Sequence, residues 1–250
     1  MQQNTTDFIA QAAWDVTKTR WKELMGLPLA VVAVTLIVMG LLLQTGAGAA
    51  VAVAFVLYVA LMIFFVAFST AVAKWCSDLY AGAKVLDIEG GLKYGLSRFW
   101  GVLGTALLTA IKVVLWSFLL LIPGYYKGIM YSKSIKVSQL EKISGGDANR
   151  ISQKMVSSSG FMRTLGNMMA VGVVATVIFY VYAALALLVG GIFGLASQTL
   201  GMIVMALLCS AGMVVLATFM MVYNAYEYLI YRDENKTELT ALMKTLASMK

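Results

Sequence analysis

Four lysines sit where the chain is otherwise apolar, and they are the residues whose type and spacing could do chemistry. Lys112 lies near the middle of "GVLGTALLTAIKVVLWSFLLLIPG", and Lys127, Lys133 and Lys136 follow in "YYKGIMYSKSIKV". An ionisable side chain inside a membrane segment is expensive and points to a functional site by default. On one continuous helix Lys133 and Lys136 lie about 60° apart, and Lys127 points about 120° away from Lys133. Tyr125, Tyr126 and Tyr131 flank them. Two readings follow. The lysines form a basic groove for lipid phosphate or another small anion, or they snorkel to the headgroups on their aliphatic stems. Lys112 likewise reads as a functional charge or as a donor to backbone carbonyls near the Pro-Gly step. Glu227, in "YNAYEYLIYRDE", is close enough to the inner interface to pair with one of the lysines. Asn167 and Asn224, near helix ends, suit hydrogen bonding between helices.

Other chemistries lack their residues. Histidine is absent, which removes the commonest metal ligand and the commonest general base at neutral pH. The two cysteines, Cys76 and Cys209, have no CxxC spacing and suggest no disulfide framework. No nucleophile elbow, P-loop, HExxH or kinase-type set occurs. Asp78, Asp87, Glu89 and Asp147 are isolated carboxylates on connectors and read as caps or solvated charges. No catalytic, cofactor-binding or metal-ligating residue is assigned, and the chain reads as a non-enzyme needing no cofactor.

The elements that position the lysines are membrane helices. Of 250 residues, 61% are hydrophobic and only 12% charged. Soluble domains carry about 25% charged residues, so the composition is that of an integral membrane protein. Two prolines and long apolar runs favour helices over the alternating strands of a barrel. The expected fold is a single all-α domain with six transmembrane helices at 27–43, 51–73, 101–122, 125–140, 165–189 and 202–228. The fourth of these, after Pro123-Gly124, is short. A tight turn is expected at "TGAGAA", and a short helix capped by Asp87 before the third crossing. Gly190-x-x-x-Gly194 has the spacing of a small-residue packing motif, but its place at a linker favours a turn.

An amphipathic helix over 7–25 precedes the first crossing, with no cleavable signal peptide expected. Its Trp14 and Trp21 are seven residues apart and suit the headgroup region. Lys74 and Trp75 form a second interfacial anchor pair at the end of the second crossing.

Charge sets the orientation. The connectors at 44–50, about 122–126 and 190–201 carry almost none, with Lys127 beginning at the edge of the middle one. The N-terminal helix, residues 74–100, residues 141–163 and the tail carry nearly all. The positive-inside rule then puts both termini in the cytoplasm of a plasma (inner) membrane. The chain must return to that side before Glu141. Sixteen residues, 125–140, make only about 24 Å of helix against a core of roughly 30 Å. Either this segment is a short slanted crossing, or the pair dips with its Pro-Gly turn inside the membrane.

The order of features resembles a group of bacterial polytopic proteins related to the membrane domain of glycerophosphodiester phosphodiesterases. The residues that carry the likeness are Ile122-Pro123-Gly124, then Glu141 and Gly145-Gly146, then Ala148 and Ser152 in an Ala-x-x-x-Ser pattern, then two long helices from Leu165 and Gly201. The segment "YYKGIMYSKSIKV" is more polar than its counterpart in that group. The resemblance implies a six-helix membrane domain without a catalytic centre, since the group's phosphodiester chemistry belongs to a separate soluble domain.

The formal net charge of +7 suits anionic lipid at the cytoplasmic face and implies no nucleic acid. The expected function is a non-enzymatic accessory or scaffold subunit that contacts a membrane-protein partner or further copies of itself. The alternative is a carrier or binder of lipid or a small anion, with the lysines lining its path.

Overall fold

The computed structural model describes residues 5–42, 47–195 and 197–248. All regular structure among them is helical. Helix α1 (Thr5–Thr19) runs through a π-helical turn (Lys22–Gly26) into α2 (Leu27–Leu42). Helices α3 (Ala47–Tyr80), α4 (Ile88–Leu119), α5 (Leu121–Met130), α6 (Ser134–Leu140) and α7 (Gly146–Ser159) follow. Helices α8 (Phe161–Gly194), α9 (Gln198–Glu234) and α10 (Lys236–Ser248) complete the chain.

Among the described residues four helical stretches are long and apolar enough to cross a membrane: Val51–Tyr80, Ile88–Phe118, Phe161–Gly194 and Gly201–Glu234. The first expected crossing corresponds to α2, whose 16 residues end where the described chain breaks at 43–46. The expected turn lies partly in that break, and Ala47–Ala50 are already helical.

The expected helix over 125–140 is replaced by two pieces. Helix α5 has 10 residues and α6 has 7, separated by a turn at 131–133. Ten residues reach about 15 Å, half of a hydrocarbon core. The break before α5 also moves. Leu120, not Pro123-Gly124, takes the extended conformation (φ −162°, ψ 141°). Pro123 falls in the first turn of α5, where a missing N–H leaves no bond unmade. Gly124 is needed for approach, because a Cβ there would lie 2.1 Å from Ser117 Oγ and 2.6 Å from Ser117 Cα. Helix α5 therefore folds back tightly along α4.

Two compact units divide the chain: residues Met1–Ala13, Ile63–Met168 and Met221–Lys250 in one, and Trp14–Met62 and Met169–Met220 in the other.

In the second unit small residues bring α8 and α9 together. A Cβ on Gly201 would meet the Gly190 carbonyl and the Gly194 Cα, each at 2.6 Å. The Gly190–Gly194 spacing thus packs helices and makes no turn. Gly212 lies under the Tyr182 ring, and the Tyr182 hydroxyl donates to the Leu208 carbonyl at 2.9 Å. Many of its outward side chains are apolar, with Phe55, Val56, Tyr180 and Leu188 all exposed.

The first unit holds the larger core. Phe68, Trp75, Ile151, Met155, Tyr228, Leu229 and Tyr231 are fully buried there. Helix α4 begins at an Asp87 cap that accepts from the Gly90 N–H, as expected, and runs unbroken for 32 residues. Gly95 lets it rest on the Ala67 carbonyl of α3, where a Cβ would come within 2.1 Å. Helix α6 ends against α4: Arg98 donates to the Ser138 carbonyl and Tyr94 to the Gln139 carbonyl, each at 2.7 Å. These are carbonyls that a helix C-terminus leaves without intrahelical partners.

Candidate functional site

The site lies in the first unit, around the turn between α5 and α6. That turn exposes backbone groups in a buried place, and Ser152 of α7 satisfies them. Its Oγ accepts from the Lys133 N–H at 3.1 Å and donates to the Met130 carbonyl at 2.8 Å. Helix α7 comes this close on a buried face where Ala148 and Ser152, one turn apart, are small. Ala148, Asn149, Ile151, Ser152, Met155 and Val156 recur at helical spacing and are buried.

The turn aims the Lys133 side chain inward. Only 2% of Lys133 and 1% of Glu227 are exposed, and the Lys133 ammonium donates directly to Glu227 Oε2. Asn167 of α8 donates to Glu227 Oε1 at 3.3 Å and to the Tyr231 hydroxyl at 3.2 Å. The Tyr231 ring carries two cations, Lys133 Nζ at 5.4 Å and the Arg163 guanidinium at 5.0 Å from its centroid. Arg163 also clamps Glu234 with two bonds, of 2.8 and 3.0 Å. Buried charges survive only when paired and hydrogen-bonded. Both ions here are so provided, by residues of α8, α9 and the α5–α6 turn.

Lys136, in α6, is 8% exposed. Burial pushes its ammonium down to about 8, with the Cys76 thiol opposing the shift and Lys133 adding to it. The break in the helix leaves Lys133 in the turn, paired with Glu227, and Lys136 in α6, where among the described residues it has no carboxylate partner.

Lys112 and Lys127 share an aromatic neighbour instead. They are half-buried on adjacent antiparallel helices, and each ammonium lies 5.9 Å from the Tyr131 ring centroid. Lys127 is also 5.5 Å from the Trp116 ring. Among the described residues neither lysine has a carboxylate partner. Trp116, Phe118, Leu120, Leu121, Ile122, Tyr125 and Tyr126, between the two lysines in sequence, are exposed.

Trp14 and Trp21 are 61% and 55% exposed, which leaves their rings open to an interface. Lys74 pairs with Asp78 one turn on. Trp75 is not an anchor: it is 1% exposed and fills a notch at Gly91, where a Cβ would lie 2.7 Å from the indole. A ring enclosed by protein has no surface left for headgroups.

Asn167, read from sequence as a helix–helix hydrogen-bonding residue, and Glu227, read as a partner for one of the lysines, meet each other here. Ser152 was marked only as part of Ala-x-x-x-Ser, and nothing in that pattern indicated a plug for a helix break. Tyr231 and Arg163 carried no signal beyond their types. Among the described residues no three His, Cys, Asp or Glu side chains are placed to hold a metal ion.

Fold and site together define the class: an all-α chain with four membrane-competent helices, whose deepest charges are neutralised internally. No protein-family model matches this chain, and comparison with curated proteins and with solved structures finds no match.

Proposed function

We propose that this protein is a non-enzymatic accessory or scaffold subunit of the plasma membrane, with both termini cytoplasmic. The observation that supports it most is the use made of the buried ionisable groups. Lys133, Glu227, Asn167 and Tyr231 are bonded to one another and hold the α5–α6 turn against α8 and α9. Such groups act as structural glue. A carrier would need these charges free for cargo, and Lys133 is committed to Glu227.

The finer topology belongs to the same reading. Helices α3, α8 and α9 cross together with the 16-residue α2, while α4, although long and apolar enough to cross, pairs with α5 in a hairpin that dips into the bilayer and returns. This keeps the charged connectors on one side and replaces two of the six expected crossings with a re-entrant pair. The resemblance to the membrane domain of the phosphodiesterase group points the same way, since that group's chemistry resides elsewhere.

The test is gentle solubilisation in an uncharged detergent followed by mass measurement. A scaffold gives a complex of fixed stoichiometry, with a second protein or with further copies of the 27.0 kDa chain. Repeated isolation of a single chain, across detergents and expression levels, would overturn the reading.

A further inference from the structure

We infer that the Lys112–Lys127 pair is a binding site for the phosphodiester headgroup of an anionic phospholipid. The inference is independent of the scaffold reading, because a scaffold and a carrier could each hold such a lipid.

The hairpin builds the site. Leu120 reverses the chain, and Gly124 lets α5 lie against Ser117 of α4. Lys112 is eight residues before the reversal and Lys127 seven after it, so they occupy the same level on neighbouring helices. Both ammonium groups lie 5.9 Å from the Tyr131 ring centroid, and Lys127 is also 5.5 Å from that of Trp116. Aromatic faces favour nearby cations but supply no net negative charge. Two like charges are thus held beside one ring with their opposite charge still to be supplied. Lys133, six residues after Lys127, differs in being provided with a carboxylate, Glu227 of α9.

The surroundings select the ligand. From the lysines to the reversal is about 12 Å of helix. The exposed side chains over that distance include Val114, Leu115, Trp116, Phe118, Leu120, Leu121 and Ile122. Such a tip belongs among acyl chains. With the tip inserted, the lysines and the exposed Tyr125 stand at headgroup depth, where a lipid phosphate is the abundant anion. A free anion in water would meet the same charges without the apolar continuation that an acyl chain fills.

The test uses the full chain, stripped of lipid in dodecyl maltoside. Phosphatidylglycerol, phosphatidylcholine or inorganic phosphate is added at equal concentration, and bound lipid is read by native mass spectrometry. Two lysines near a lipid surface should favour phosphatidylglycerol over phosphatidylcholine by about thirtyfold. The K112Q/K127Q variant should lose that preference, and K112R/K127R should keep it. K84Q/K93Q removes the same charge from exposed positions and should also keep it. Equal retention of the two lipids by the wild type would overturn the proposal. So would a preference that survives K112Q/K127Q or disappears equally in K84Q/K93Q. Competition by inorganic phosphate at the same concentration as the lipid would overturn it in favour of a soluble anion. A thermal melt of K112Q/K127Q within a few degrees of wild type shows that its loss of lipid is not loss of fold.

Discussion

Replacing Glu227 by Gln removes one charge and almost no volume. The carboxamide can still accept from Asn167, but the Lys133 ammonium loses its counter-charge in a site where it is 2% exposed. Its remaining stabilisation is the Tyr231 ring at 5.4 Å, a weak substitute for a carboxylate. Breaking a buried pair from one side costs about 3–5 kcal/mol, because the surviving charge stays desolvated. Retention of the Asn167 bond puts E227Q near the lower end, about 3 kcal/mol, or two orders of magnitude in the folded-to-unfolded ratio. The companion variant K133M/E227L removes both charges and fills the space with apolar groups. It should lie within about 1 kcal/mol of wild type, since apolar replacement of a whole buried pair is often neutral. The assay is reversible unfolding of the detergent-solubilised protein by sodium dodecyl sulfate, followed by tryptophan fluorescence and circular dichroism. The reasoning fails if E227Q falls within about 0.5 kcal/mol of wild type, or if the double variant is as unstable as the single one.

The hairpin offers an internal control on close packing. G124A should destabilise by about 1–3 kcal/mol, because the new methyl meets the Ser117 backbone as well as its hydroxyl. G128A, one turn along α5 with nothing nearer than 3.9 Å, should gain up to about 1 kcal/mol from helix propensity. Equal effects at the two glycines would argue against the packed hairpin. Lys136 gives a pH dependence. Burial lowers its pKa from 10.5 to about 8, so between those values the unfolded chain holds a proton that the folded chain has released. Stability should therefore rise with pH across that window. K136M should be more stable than wild type at pH 7 and lack this rise, and an unchanged slope in K136M would refute the assignment.

Helical class and membrane character were legible because they depend on local quantities. Apolar runs and the Asp87 cap can be read within windows of a few turns. The breaks were less legible. Pro123-Gly124 drew the expected reversal to itself, although proline is tolerated in a first turn and the extended residue is Leu120. The second break, at 131–133, follows from a serine 20 residues later that satisfies its backbone. Trp75 looked interfacial beside Lys74, and only the bare surface at Gly91 turns it inward. The partner of Lys133 was named as an option, since Glu227 was the carboxylate at a suitable depth. Choosing among four lysines required the turn that points one of them at it.

That pairing joins positions 94 residues apart, and the separation imposes an order on synthesis. The α4–α5 hairpin is local and can close as soon as Met130 has emerged, since short loops close first. Lys133 then waits, charged and without its counter-ion, while α7, α8 and most of α9 are still being made. A lone ammonium is held at the aqueous boundary by its own hydration, so residues 131–133 stay there until Glu227 arrives. The ion pair is in this sense a late checkpoint: the chain cannot bury its α5–α6 turn before its last membrane-competent helix is in place. Truncation before residue 227 would leave that turn exposed, a ready signal of an incomplete chain for a membrane protease.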